Sequence, residues 1–240
     1  MNAPPTILYE DDDILALNKP AGLVVHADGR TVEPTLDEWV LRNYPDLKVV
    51  GGMHTLDNAR YVPRAGILHR LDRDTSGVIL VAKNDDSFYA LQRQFLDRSI
   101  AKIYHAIVMG VPEPKEGTIG LPIGRSRSDF RKWTVPPDAR GTLRAAQTLY
   151  RVLEEGGGYA VVECQPKTGR THQIRVHMAA IGHPLVGDEK YGGKAAFGLL
   201  RPALHALELT FFHPSKKEKM TVRAPLPPDL TEAKEKLQNS

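Results

Sequence analysis

The sequence predicts an α+β fold: a large, mixed but mostly antiparallel sheet flanked by helices and loops. Three observations predict it. Short apolar or alternating runs of strand length recur from end to end, with turn-forming residues between them. Helical periodicity is confined to three segments. No repeat, heptad pattern, low-complexity tract or composition shift marks a linker, so residues 1–240 read as a single domain.

In chain order, residues 6–9 and 14–18 flank the turn-like Glu10-Asp11-Asp12-Asp13 and read as a strand pair. Residues 77–82 (GVILVA) form an apolar run of the kind found in buried strands. Asn84 or Asp85 caps a helix that places Phe88, Leu91 and Phe95 on one face. Residues 102–108 (KIYHAIV) alternate, with Ile103, His105 and Ile107 opposite Tyr104, Ala106 and Val108. Residues 149–153 and 159–164 form a hairpin around the glycine-rich loop 154–158. A second helix spans about 171–181, stopped by Gly182 and Pro184. Residues 207–212 and 219–222 suggest another hairpin, and a last helix follows Pro227-Pro228-Asp229.

The chain has 240 residues, of which 41% are hydrophobic, enough for a real core. Its net charge of +3 permits an RNA partner without requiring one. Cys164 is the single cysteine, which excludes an intrachain disulfide and a cysteine zinc site. Within the run 159–164 it reads as a small buried hydrophobe. No apolar stretch approaches the ~20 residues that span a bilayer, and the N-terminus does not resemble a secretory signal. A cytoplasmic monomer without membrane contact is expected.

Three segments carry candidate chemistry. Residues 112–141 lack clear periodicity and read as a long functional loop or pair of loops. They interleave Arg125, Arg127, Arg131, Lys132 and Arg140 with Phe130 and Trp133. Cations meet phosphates and rings stack on bases, so this mixture suits RNA. The densest polar segment is 69–77, His69-Arg70-Leu71-Asp72-Arg73-Asp74-Thr75-Ser76-Gly77, just before the GVILVA run. It suits either a salt-bridged turn or a catalytic loop held by a rigid strand. The third is Thr168 to Met178, where Arg170 and Arg175 offer fork-shaped donors to a carboxylate or phosphate. His172 and His177 point roughly 140° apart on a helix, so no metal site is expected there. No phosphate-binding glycine loop and no nucleophile elbow appears. Asp72 and Asp74 make only a weak hydrolase pair, because neighbours two apart have no fixed separation across a substrate.

HRLDRDTSGVILVAKN, starting at His69, resembles the central motif of RluA-type RNA pseudouridine synthases, closest to the RluD-like branch through VPRAGILHRLD (62–72). Four further segments resemble the family's motifs in order: 11–26, 101–110, 168–193 and 204–214. The resemblance implies that Asp72 is the catalytic carboxylate, that Arg175 pairs with it, and that Tyr104 stacks on the uracil and assists proton transfer. It implies that Arg70 fills the space left by a flipped-out base, and that Arg170 supports the active-site helix or contacts phosphate. Arg125, Arg127, Arg131 and Lys132 are expected to meet RNA. An isomerisation needs neither cofactor nor metal. Many relatives carry an S4-type RNA-binding domain; here the first motif begins about ten residues after Met1, so a catalytic domain without that module is expected. The expected substrate is structured RNA, either ribosomal or transfer RNA. The competing reading is a non-catalytic RNA-binding protein of the same fold, but Asp72, Tyr104 and Arg175 are all present.

Overall fold

A computed structural model describes residues 3–26, 33–55 and 61–240. The chain divides into two compact units interleaved in sequence. One comprises the chain up to Ala101 plus Glu208–Pro225, the other Lys102–Leu207 plus Leu226–Ser240.

In the first unit, β1 (Thr6–Glu10) and β2 (Ile14–Lys19) pair antiparallel around the acidic turn. Helix α1 (Leu36–Asn43) starts from a capping box of Thr35 and Glu38. A short hairpin, β3 (Met53–Thr55) and β4 (Tyr61–Pro63), follows. The next strand, β5 (Ser76–Ala82), is buried at every position and pairs antiparallel with β2, which sets Lys19 opposite Gly77. Its apolar run fits a strand covered on both faces. Helix α2 (Asp85–Leu96) starts as the sequence suggests: the Asn84 side chain accepts the Ser87 N–H at 2.8 Å. Phe88 and Leu91 enter a core formed with Ile14, Leu17, Ile79 and Leu80.

A polar knot closes this unit. Asp11 accepts the backbone N–H groups of Asp13 and Ile14 at 2.9 and 3.0 Å. It also bonds Tyr9, His213 and Lys216. Burial works against its charge, but these donors outweigh that and hold the carboxyl well below the usual range. Asp13 bonds Ser87, Asn84 and Ser215, which ties the β1–β2 turn to the start of α2. Asp11, Asp13 and His213 lie close enough to share a cation, yet internal donors already occupy their acceptor atoms.

In the second unit, β6 (Ala101–Met109) leads to β7 (Glu116–Ile119). The stretch expected to be a long loop holds, beyond β7, three strands instead. These are β8 (Ile123–Ser126), β9 (Trp133–Thr134) and β10 (Ala139–Arg144), forming a small sheet in the order β10-β8-β9. They are short and polar on one face, so no alternating apolar pattern exposes them in the sequence. Strands β11 (Thr148–Gly156) and β12 (Tyr159–Pro166) form the expected hairpin, but with a two-residue turn. Gly157 and Gly158 supply the positive φ that turn needs (55° and 79°), so the strands run further than the sequence suggests. The main strand order here is β6-β12-β11-β7, and the pairings are antiparallel.

Helix α3 (Gln173–Ala180) begins two residues later than expected, because His172 is left-handed (φ 56°). It packs on β11 and β12 through Ile174 and Met178. Strand β13 (Leu204–Phe212) starts in this unit and ends in the first, where it pairs antiparallel with β14 (Lys219–Arg223). The last helix, α4 (Pro228–Gln238), places Leu230, Ala233 and Leu237 against Ile107 and Val161. Cys164 is buried, and burial, then the Glu163 charge, pushes its thiol up to about 12, so it is a packing residue as expected. The expected α+β class, a mixed and mostly antiparallel sheet with helices, is the observed one. No helix among the described residues is long and apolar enough to cross a membrane.

Candidate active site

Asp72 stands at the start of a tight turn that leads into β5. Its carbonyl accepts the Thr75 N–H at 3.1 Å, and Thr75 and Ser76 are buried. The turn is gripped from the far side by the first sequence motif. Arg73 O accepts the Gly22 N–H and the Lys19 ammonium, each at 2.9 Å. Lys19 is fully buried, and its Nζ also donates to Pro20 O (2.9 Å) and Leu23 O (2.7 Å). One cation thereby locks residues 19–23 to the loop carrying Asp72, a use of three rotatable donors that suits lysine. Strand β5 is braced from His69, whose Nε2 accepts the Leu80 N–H at 2.9 Å while its ring packs on Phe95. That bond requires a proton-free Nε2. Arg70 is exposed beside the turn.

In the second unit, Tyr104 is half-buried on β6, opposite Cys164 on β12, and packs on the cluster that holds Ile174 and Met178 of α3. Arg175 is buried on α3. Its Nε donates to Asp188 Oδ2 at 2.7 Å and its Nη2 to Oδ1 at 2.8 Å, with the two side chains only 9% and 1% exposed. This two-point fork fixes the guanidinium plane. The sequence motif contained Asp188 but assigned it no partner. Tyr191 lies beneath the same guanidinium, 5.1 Å from centre to centre. Lys190, in the same turn, has its pKa lowered by burial first and then by the Arg175 charge.

Helix α3 is anchored by two satisfied polar side chains. Gln173 accepts from Thr168 and the Arg170 N–H and donates to Gln147 O and Thr148. His177, fully buried, faces Leu121 O through Nε2 and Thr148 through Nδ1, both at 2.9 Å. A carbonyl only accepts, so the proton sits on Nε2. Arg170 donates from Nε to Ala145 O at 3.0 Å.

The small sheet presents the expected basic residues. Arg125 is exposed on β8, Arg127 is exposed just beyond the strand's end, and Arg125 stands directly across from Arg140 on β10. Like charges opposed on a sheet repel each other, an arrangement suited to an anion. Arg125 stacks 4.2 Å over Trp133, Phe130 is 69% exposed, and Arg131 pairs with Asp129. Ile123 and Trp133 pack with Val176 and Tyr191, so this sheet rests on the helix that bears Arg175.

The sequence profile of the RNA pseudouridylate synthase family matches residues 13–180. The chain belongs to that family. An uncharacterised RNA pseudouridine synthase of Bacillus subtilis is 42% identical over 98% of this chain and 73% of its own length. The ribosomal large subunit pseudouridine synthase D of Nitrosomonas europaea is 38% identical over 98% of this chain and 66% of its own length. Human RNA pseudouridylate synthase domain containing 1 superposes with a TM-score of 0.72 at 29% identity, covering 95% of this chain and 87% of that one. An RNA pseudouridine synthase is an isomerase, in line with the resemblance found in the motifs.

Proposed function

We propose that this pseudouridine synthase modifies large-subunit ribosomal RNA in the cytoplasm as a monomer, with Asp72 as the carboxylate that opens the glycosidic bond. The ribosomal substrate is supported by curated relatives named ribosomal large subunit pseudouridine synthase D, at 38% and 40% identity. The cytoplasm is where such RNA is found. In the reaction the bond from uracil N1 to ribose C1′ breaks, a bond from C5 to C1′ forms, C5 loses its proton and N1 gains one. No electrons are exchanged with a second molecule.

The observation that carries the reading is the doubly held Asp72 turn, gripped by Lys19 and the Gly22 N–H at Arg73 O. A reacting carboxylate must be held still, and a rigid strand end does this. Arg175 is assigned to keep Asp72 ionised, since a nearby guanidinium favours the charged form. Tyr104 is assigned to stack on the uracil and help move the C5 proton. Arg70 is assigned to the space of the flipped nucleotide, and Arg170, Arg125, Arg127, Arg131 and Lys132 to the RNA backbone.

The test is Asp72→Asn, assayed by tritium release from RNA carrying uridine labelled at C5. The variant should release no tritium above background while binding RNA within about threefold of the parent protein. Retained release would remove Asp72 from the chemistry.

A further inference from the structure

We propose that Tyr191 and Asp188 are positioning residues for Arg175, and that Tyr191 fixes the place of Arg175 relative to the small basic sheet. This rests on the assignment of Arg175 to the active site. Arg175 is held on two sides at once. Asp188 fixes the guanidinium plane through the two-point fork, and the Tyr191 ring supports its face.

The Tyr191 hydroxyl then reaches two other elements. The backbone N–H of Trp133 on β9 donates to it at 3.3 Å, and His172 Nδ1 lies 2.7 Å away, with the two rings edge to face. His172 is the residue before α3 and adopts φ 56°, a conformation that costs a side-chain-bearing residue free energy. A strained residue persists only where its surroundings over-determine it. Tyr191 is therefore the point where β9, the first residue of α3 and the Arg175 guanidinium meet.

The backbone that presents Asp188 and Tyr191 has no slack. Gly187 has φ 72°, and a Cβ there would lie 2.2 Å from Arg201 O. A Cβ on Gly193 would lie 1.9 Å from Leu185 O. Between them, Asp188 O accepts the N–H groups of Tyr191 (3.0 Å) and Gly193 (2.9 Å). Such a turn holds its side chains to one geometry, as a supporting shell must.

The experiment is single-turnover tritium release by full-length enzyme in excess over total RNA, labelled with [5-³H]uridine and taken from a strain lacking the gene. Tyr191→Phe keeps the ring and removes only the hydroxyl. It should slow the rate constant by about tenfold or more, with full amplitude and an RNA Kd within about threefold of the parent. Asp188→Asn should slow it further, and Asp188→Glu should recover part of the loss. A purely structural role would instead lower the amplitude, through fewer folded enzymes, and leave the rate constant of the remainder unchanged. That result, an unchanged rate, or a loss confined to RNA affinity in Tyr191→Phe would overturn the proposal. Because Tyr191→Phe leaves no buried charge unpaired, it decides the matter even if Asp188→Asn fails to fold. Asp72→Asn and Arg175→Ala run in parallel: if both are inactive while Tyr191→Phe behaves as the parent, only the positioning role fails. If Arg175→Ala is active, the site assignment itself fails.

Discussion

Lys19 shows how much one side chain can hold. It is fully buried, and its ammonium donates to three carbonyls, one of them on the residue after Asp72. Replacing it with methionine keeps the volume and strands those acceptors in a dry interior. Lys19→Met should therefore cost about 3 kcal/mol or more, read as a lower denaturation midpoint with an unchanged slope. A loss under about 0.5 kcal/mol would mean the carbonyls are satisfied another way. The sequence motif around Asn18-Lys19-Pro20 was recognisable, but the role of the lysine was not, because three carbonyl contacts made across a loop leave no periodic trace. Asp188 was hidden for the same reason: its partner lies 13 positions back, on a helix. The turn around Asp72, by contrast, stood out as a dense polar segment before an apolar strand, a local pattern, while the choice of Asp72 within it came from the family resemblance.

The active-site helix α3 illustrates what an element inherits from its anchors. His177 is buried and neutral, burial lowers its pKa, and both ring nitrogens are bonded. In the unfolded chain the imidazole titrates at about 6.5, so at lower pH the unfolded state binds a proton that the folded state resists. This contribution to stability is complete above that pH. It falls as the pH drops below it, by at most about 1.4 kcal/mol per pH unit for one proton. His177→Asn should flatten that slope between about pH 5 and 7, measured by denaturation across pH, even though it lowers stability throughout. An unchanged slope would place the pH dependence elsewhere. Elements with a strong period or a local cap, such as β5 and α2, were readable from sequence. The small sheet β8–β10 was not, because its strands are short and carry no alternating apolar pattern. The start of α3 was misplaced because a left-handed histidine carries no sequence mark.

Across the whole molecule the net charge is only +3, so affinity for RNA must come from local clustering. The small sheet is the proposed source, with Arg125 opposite Arg140 and Arg127 exposed just beyond the end of β8. Arg127→Ala combined with Lys132→Ala should weaken RNA binding and reduce the slope of log K against log salt by about 1 to 2. An unchanged slope would take this sheet out of the interface. The two units interleave along the chain, with residues 208–225 returning to the first, whereas the sequence reads as a single domain of α+β class. Division into units depends on contacts between distant segments, which composition does not record.

The most direct measurement is a map of pseudouridines in total RNA from the source organism with the gene deleted, then complemented. Sites in large-subunit ribosomal RNA should disappear on deletion, return with the parent gene and stay absent with Asp72→Asn. Sites that survive the deletion, or that return with Asp72→Asn, would contradict the account.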